Sequence, residues 1–532
     1  FFALLCFPII WFSSFNSPIT GDGSHFSISY LSFSEILKKG HTFIDGGTNL
    51  EISIYFPMFF IADIFGFLSS SNEKFVQFST YFTLRYVIPF FSIFIFLNSF
   101  FSLKKKFIYY PAIFFYIYNP FLNQVGFEYN FYSIYAFAPL TLGLYQILNT
   151  NLLEGKTKKY ENYLLVFLIN ISIFLSQSGI TILVYSVVYF VIGFGLFFFN
   201  LIKFKRKKRI SLFIKYHFYI VLLLVIFNFY WIYDAIINFT EIINDEFFAT
   251  LAGFVNSSVI SFDALRFLGA WYLRASDNLG LYNSYMFFYD SVFGNIITLV
   301  FLTFIIYSAF FIKSYFYKLF IILFLLTFIL IGGSGGTIPV ISKLFYNFKF
   351  MLIFREPSKF SLILILLYCF FITSLVNKFY EIKSKSKNFY LIVFISTIFY
   401  ICLPTVIHHI DQKNPYRNSF GKIPDEYFHL KEYFKENKPT GTVLSLPQTN
   451  YGFRLMGEKS YSINIYPEKI LLDSLGIKTV SVNYNPKYKT YDVLNNFNIL
   501  TPEYLSFFDI EYLIFHKDFD YVYEEINNRK NL

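Results

Sequence analysis

Apolar runs of about 18 residues or more recur along this chain, each long enough to cross a hydrocarbon core roughly 30 Å thick. In lipid every backbone N–H and C=O must be satisfied internally, so such runs fold as helices. They absorb most of the 78 Phe and 45 Tyr. Charged residues make up only 15% of the chain, against about 25% in ordinary soluble domains, and the mean hydropathy is +0.50. The expected fold is therefore a polytopic α-helical membrane protein in contact with a lipid bilayer. A net charge of +10 would suit a nucleic-acid binder. Here, however, the basic residues occupy short runs between apolar segments, which is the positive-inside pattern and not a phosphodiester groove. No nucleic-acid partner is expected. Cys6, Cys369 and Cys402 all fall in apolar stretches and build neither a disulfide framework nor a Cys/His metal cluster. Phe1 to Ile10 resembles a signal-peptide core, but no small-residue cleavage site follows, so it is read as part of the first membrane helix.

Basic runs set the orientation. Lys104 to Lys106, Lys156 with Lys158 and Lys159, Lys203 to Arg209, Lys313 with Lys318, and Lys378 to Lys387 are all expected on the cytoplasmic side. About eleven crossings satisfy this, at roughly 1–17, 80–103, 107–123, 130–149, 162–177, 179–202, 211–238, 291–312, 317–332, 358–377 and 388–406. The N-terminus then lies inside, while the long loops 18–79 and 239–290 and the tail lie outside. Ile52 to Leu68 is apolar enough to count as another crossing. Counting it would invert every later loop, and it contains Pro57 and Asp63, so it is read as an interfacial or re-entrant element. The chain thus divides into a membrane region, 1–406, and an extracytoplasmic α/β domain, 407–532. In the tail, Asp425 to Asn437 has an amphipathic helical pattern, and Thr442 to Leu446 and Ile510 to His516 read as strands.

The polar residues that are expensive in a membrane protein gather at the outer face. Asp22 and His25 follow the first span in Thr20-Gly21-Asp22-Gly23-Ser24-His25, and Glu35, His41, Asp45 and Glu51 lie in the same loop. Arg85 precedes the Lys104 run by about 19 residues, which at 1.5 Å each is roughly the core thickness, so it belongs at the outer end of its helix. Asp234 ends the span 211–238, Arg266 and Arg274 lie in the next outer loop, and Arg355 with Lys359 opens the span 358–377. Carboxylates and guanidiniums at one interface suit an anionic lipid headgroup held by cations and a hydroxyl activated by a carboxylate. Each residue also has a plainer reading: Asp22 as a solvated loop residue, Arg85 as a snorkelling side chain, Arg355 and Lys359 as interfacial anchors, His25 and His41 as incidental. Gly332-Gly333-Ser334-Gly335-Gly336 lacks the preceding strand and following Lys-Ser/Thr of a phosphate loop and reads as a turn.

Four stretches carry a family resemblance. They are Asp22 with its loop, Asn49 to Phe60, Asn228 to Leu273 with Trp231 and Gly269-Ala270-Trp271, and Phe354-Arg355-Glu356-Pro357-Ser358-Lys359-Phe360. Together with the helix order they resemble the GT-C superfamily of polyprenyl-phosphate-sugar-dependent glycosyltransferases over roughly residues 1–406. Within it the chain looks most like the membrane region of alpha-(1→3)-arabinofuranosyltransferases, and the Arg355 stretch is similar to one in YfhO-like membrane proteins. The arabinosyltransferases tend to have Asp-Thr-Lys where this chain has Asp22-Gly23-Ser24, and they carry long carbohydrate-binding regions.

The resemblance implies a catalytic Asp22, a polyprenyl-phosphate sugar donor entering from the bilayer, and a glycan, lipid or protein acceptor from outside. Arg355, Lys359 and Arg85 would hold the donor phosphate, with His25, Glu51, Asp234, Trp271 and Arg274 lining the site. No cofactor is fixed by these residues; a divalent cation beside Asp22 is left open. A transporter or flippase of lipid-linked sugars predicts ionisable groups deep within spans or broken helices. A non-catalytic assembly protein of the same frame predicts indifference to loss of Asp22.

Overall fold

The computed structural model describes residues 60–68, 82–121, 129–155, 158–176, 210–242, 291–311, 315–331, 360–382, 386–410 and 425–446, with short pieces near residues 17, 79, 194, 265, 288, 340, 420, 454, 463, 475 and 512. The first helix, α1 (Ile88–Phe101), continues from a π-helical turn, Thr83–Val87, and Pro89 directly after that turn withholds one N–H from the carbonyls of the turn before it. It stops at Ser102, which adopts a left-handed φ of 47° and returns its N–H to the Asn98 carbonyl. A 3₁₀ turn, Lys106–Tyr109, leads into α2 (Tyr110–Tyr118). Then follow α3 (Tyr129–Glu154), α4 (Lys159–Leu175), α5 (Ile210–Ile242), α6 (Val292–Phe311), α7 (Tyr315–Ile331), α8 (Ser361–Glu381) and α9 (Lys387–Ile410).

Three helical stretches, Thr83–Phe101, Ile210–Phe229 and Ser361–Glu381, are long and apolar enough to cross a membrane, and Val292–Ser308, Lys318–Ile331 and Lys387–Leu403 are shorter apolar helices. Their surroundings differ. The apolar window of α8 is 89% buried, with α2, α6, α7 and α9 packed around it. That of α5 is only 22% buried. On α5, Ile214, Phe218, Leu222 and Ile226 are exposed at four-residue spacing beside Val221, Val225 and Phe229. Water would make such a stripe unfavourable at about 25 cal/mol per Å² of apolar surface, whereas lipid tails satisfy it. Phe218→Arg, near the middle of that window, is therefore expected to disfavour insertion of α5 by about 2.5–3.5 kcal/mol. A translocon insertion assay checks this; unchanged insertion would remove the lipid-facing assignment.

Basic loops meet at one end of the bundle. Lys105 bonds the Tyr380 hydroxyl and lies 4.3 Å from that ring, Lys387 lies 5.7 Å from it, and Phe107 packs edge-on against it. The connection between α1 and α2 and the end of α8 thus share a face. Of the Ile52–Leu68 element, the described residues 60–68 are helical and expose Phe67 and Leu68. The expected first and sixth spans, 1–17 and 179–202, lie largely outside the described residues.

In the tail, α10 (Asp425–Glu436) packs on a parallel sheet ordered β6–β3–β7, formed by β3 (Thr442–Leu446), β6 (Thr479–Val480) and β7 (Ile510–Phe515). Phe434, Val443, Leu472 and Ile477 form a small separate core. A short hairpin pairs β4 (Phe453–Arg454) with β5 (Ser462–Ile463). A further two-residue ladder joins β1 (Ser17–Pro18) to β2 (Phe420–Gly421), tying the start of the first long loop to the tail.

The Glu511 carboxylate accepts the backbone N–H groups of Gly441 and Thr440, both at 2.7 Å, at the mouth of β3. The Gly441 bond first, and the Thr440 bonds after it, hold its carboxyl below the ordinary range despite some desolvation. A depressed carboxyl stabilises the fold above its unfolded value, about 4.3, and that contribution disappears as pH falls through the lower folded value. Protection factors of the Thr440 and Gly441 amides, taken against the intrinsic exchange rate at each pH, should fall on acidification through that window, and Glu511→Gln should blunt that dependence. Equal pH profiles for the two proteins would refute the linkage.

Candidate functional site

The described part of the site is built where α2 breaks. Pro120 disfavours helical backbone at the residue before it, and Asn119 accordingly turns extended, with φ −66° and ψ 155°. Through α2 and its 3₁₀ turn the helical path to Tyr118 is about 21 Å long, and helix resumes at Pro120 and Phe121, so the span expected over 107–123 is interrupted at Asn119. Measured from the basic end, the break lies about 21 Å along α2 and its 3₁₀ turn, and Arg85 about 24 Å along the first helix from Phe101. The two are at one level.

Arg85 sits in the π-helical turn and is only 1% exposed. Its position at the helix end farthest from Lys104 matches expectation, but its surroundings do not match a snorkelling side chain. The guanidinium lies 5.6 Å from the Tyr86 ring and within electrostatic reach of the Tyr118 and Tyr135 hydroxyls. It is enclosed by protein. A π-helical turn widens the helix locally and recurs at functional sites.

Proline chemistry also shapes the opposite wall. Pro139, inside α3, has no N–H, so the carbonyl four residues earlier, at Tyr135, loses its helical donor. The Tyr116 hydroxyl fills that vacancy, donating to the Tyr135 carbonyl at 2.6 Å, and the Tyr116 and Tyr135 rings stack with centroids 4.1 Å apart. The Asn119 amide donates to the Tyr116 carbonyl at 2.6 Å and to the Tyr135 hydroxyl at 2.9 Å. The helix break at Asn119 and the carbonyl that Pro139 leaves without its helical donor thus meet in one place.

Arg266, expected as a loop cation, is a structural clamp. It pairs with Asp263 and donates to the Tyr289 carbonyl at 2.8 Å and to Asn295 at 3.0 Å. Tyr289 in turn donates to the Ile401 carbonyl of α9 at 2.8 Å. Asp22, His25, Glu51, Trp271, Arg274, Arg355 and Lys359 lie outside the described residues. Asp234 lies on α5 about 36 Å along the axis from Ile210, past the apolar window, with only its backbone described. Among the described residues no three His, Cys, Asp or Glu side chains gather as a metal site.

Sequence reading passed over His217, a buried imidazole within α5 against Phe213, Phe194 and Tyr145. Its Nδ1 faces the Phe213 carbonyl at 3.0 Å, an acceptor, so Nδ1 carries the proton. One polar residue in an apolar window leaves no hydropathy signal; its identity as the histidine of that window was the available clue.

These apolar helices, with a cation enclosed among them, place the chain among α-helical membrane proteins. Comparison with protein-family models, curated proteins and solved structures gives no match for this chain.

Proposed function

We propose that the chain is a GT-C-type glycosyltransferase that moves a sugar from a polyprenyl-phosphate donor to a glycan, lipid or protein acceptor at the outer membrane face. The observation that carries this reading is Arg85, a guanidinium enclosed at the end of an apolar helix away from the basic loops. A positive charge enclosed there adds to the attraction for an anion delivered from the bilayer. In the proposed reaction Asp22 takes the proton of an acceptor hydroxyl, whose oxygen bonds to the anomeric carbon. The bond from that carbon to the phosphate oxygen breaks, and polyprenyl phosphate departs with its charge met by Arg85, Arg355 and Lys359.

Two pairings support the proposed eleven-span topology. The β1–β2 ladder needs residues 17 and 420 on one side of the membrane, hence an even number of crossings between them. The contacts of Lys105 and Lys387 with Tyr380 impose the same condition on their loops. The scheme has ten crossings in the first interval and eight between Lys105 and Tyr380, and the soluble tail then lies outside.

The test is transfer from a radiolabelled polyprenyl-phosphate sugar pool in membranes holding wild type, Asp22→Asn or Arg355→Ala. Loss of transfer in both inserted variants is expected; full activity in Asp22→Asn ends the base assignment. The broken α2 and the buried Arg85 and His217 favour a second reading, a flippase for lipid-linked sugars. Proteoliposomes that expose labelled donor on the opposite leaflet without forming a glycosidic bond would select it.

A further inference from the structure

We propose that the basic end of the bundle holds the phosphate of an anionic phospholipid between Lys105 and Lys387. The lipid comes from the leaflet at that end, and the inference is independent of whether the chain transfers sugars. Lys105 lies in the connection between α1 and α2 and Lys387 opens α9, yet both converge on Tyr380 near the end of α8. Lys105 bonds the Tyr380 hydroxyl, and the two ammoniums lie 4.3 Å and 5.7 Å from the centre of its ring. Two like charges drawn to one ring repel each other, so an anion between them is favoured.

No carboxylate supplies that anion among the described residues. Stretches 104–106 and 378–387 hold seven lysines against one acid, Glu381. Glu381 accepts from the Asn377 amide at 2.9 Å, and Lys106 bonds the Asn98 amide oxygen. None of Lys104, Lys105, Lys106, Lys378 and Lys387 is in an ion pair with a described residue. The backbone that carries Lys105 is fixed. The Leu103 N–H donates to the Tyr109 hydroxyl at 2.9 Å and the Ile108 N–H to the Lys105 carbonyl at 3.3 Å. Phe107, from the same connection, packs edge-on against Tyr380 with centroids 5.6 Å apart. The lysines thus meet on a junction between two connections far apart in sequence.

Its surroundings suit a lipid. Phe107, Tyr110, Phe389 and Tyr390, in or beside the same two connections, are all exposed. Exposed aromatic rings beside lysines are the pattern of a membrane–water interface. They offer apolar surface to acyl chains next to cations for the phosphate, and basic pockets between helix ends bind anionic headgroups in this way. A soluble phosphate has no use for that apolar surface.

The test is native mass spectrometry of full-length protein released from detergent. Phosphatidylglycerol or phosphatidylcholine of the same chains is titrated in, with inorganic phosphate as soluble competitor. Wild type should prefer phosphatidylglycerol, which should also raise its melting point. Lys105→Gln/Lys387→Gln should weaken the tightest phosphatidylglycerol site about 25-fold, about five-fold for each lysine, and abolish the rise in melting point. Each single variant should lose about five-fold and serves where the double variant does not fold. The control Lys158→Gln/Lys215→Gln removes the same charge from lysines beside Tyr160, Tyr163 and Tyr219. It should leave that site within about two-fold of wild type, as distant substitutions do. Unchanged phosphatidylglycerol affinity in a folded Lys105→Gln or Lys387→Gln protein overturns the site. So does an equal loss in the control, which would show only the general attraction of a basic protein for anionic lipid. Displacement by an equal concentration of inorganic phosphate would overturn it in favour of a soluble-anion site.

Discussion

Asp22→Asn is expected to lower the proposed glycosyl transfer about 10²- to 10⁴-fold, the span that a positioned general base contributes, while leaving donor binding within a few-fold of wild type. The amide has the size of the carboxylate and can still accept a hydrogen bond, but it cannot take up the acceptor's proton. Polyprenyl phosphate is a good leaving group, so departure survives the change and nucleophile activation does not. Asp22 is four residues from Pro18, at most about 14 Å of extended chain from the β1–β2 ladder, so the tail is anchored near the proposed base. Single-turnover transfer with saturating donor separates the chemical step from binding. A drop confined to donor affinity would move Asp22 from base to binding group.

Asp263→Ala is the substitution with the largest expected effect on stability. Asp263 and Arg266 are 1% and 6% exposed, and removing the carboxylate takes a charged partner from a buried guanidinium that also donates to the Tyr289 carbonyl and Asn295. Breaking a buried pair from one side typically destabilises by about 3–5 kcal/mol, whereas replacing both partners with apolar residues is often neutral. The double variant Asp263→Leu/Arg266→Met should therefore recover most of the loss. Thermal unfolding in detergent checks both. Equal melting points for Asp263→Ala and wild type would mean that the clamp does not hold this loop to α9.

Much of the helical framework was legible in the sequence because apolar length is a strong signal. The expected spans 291–312 and 388–406 became Val292–Phe311 and Lys387–Ile410, and the amphipathic pattern from Asp425 gave the helix Asp425–Glu436. In the tail the strand Thr442–Leu446 kept its expected bounds. The break in α2 was equally legible in Asn119-Pro120, yet hydropathy over 107–123 concealed it, since a proline lowers a window average very little. At the site, position along the helix located Arg85, but periodicity does not reveal what encloses it. Tyr135 offered no signal at all: its hydrogen bonds follow from a carbonyl orphaned by Pro139 and an amide across the gap on Asn119, relations that exist only after folding.

The deep burial of α8 bears on how the molecule is made. Ser361–Glu381 leaves the ribosome after α1, α2, α6 and α7, yet in the finished protein α2, α6 and α7 stand around it and shield it from lipid. Those earlier helices must leave a lateral slot, filled meanwhile by acyl chains or a chaperone, until this late segment slides in from the translocon. Chains cut short before residue 361 would then persist as an unsealed bundle, a natural target for membrane quality control.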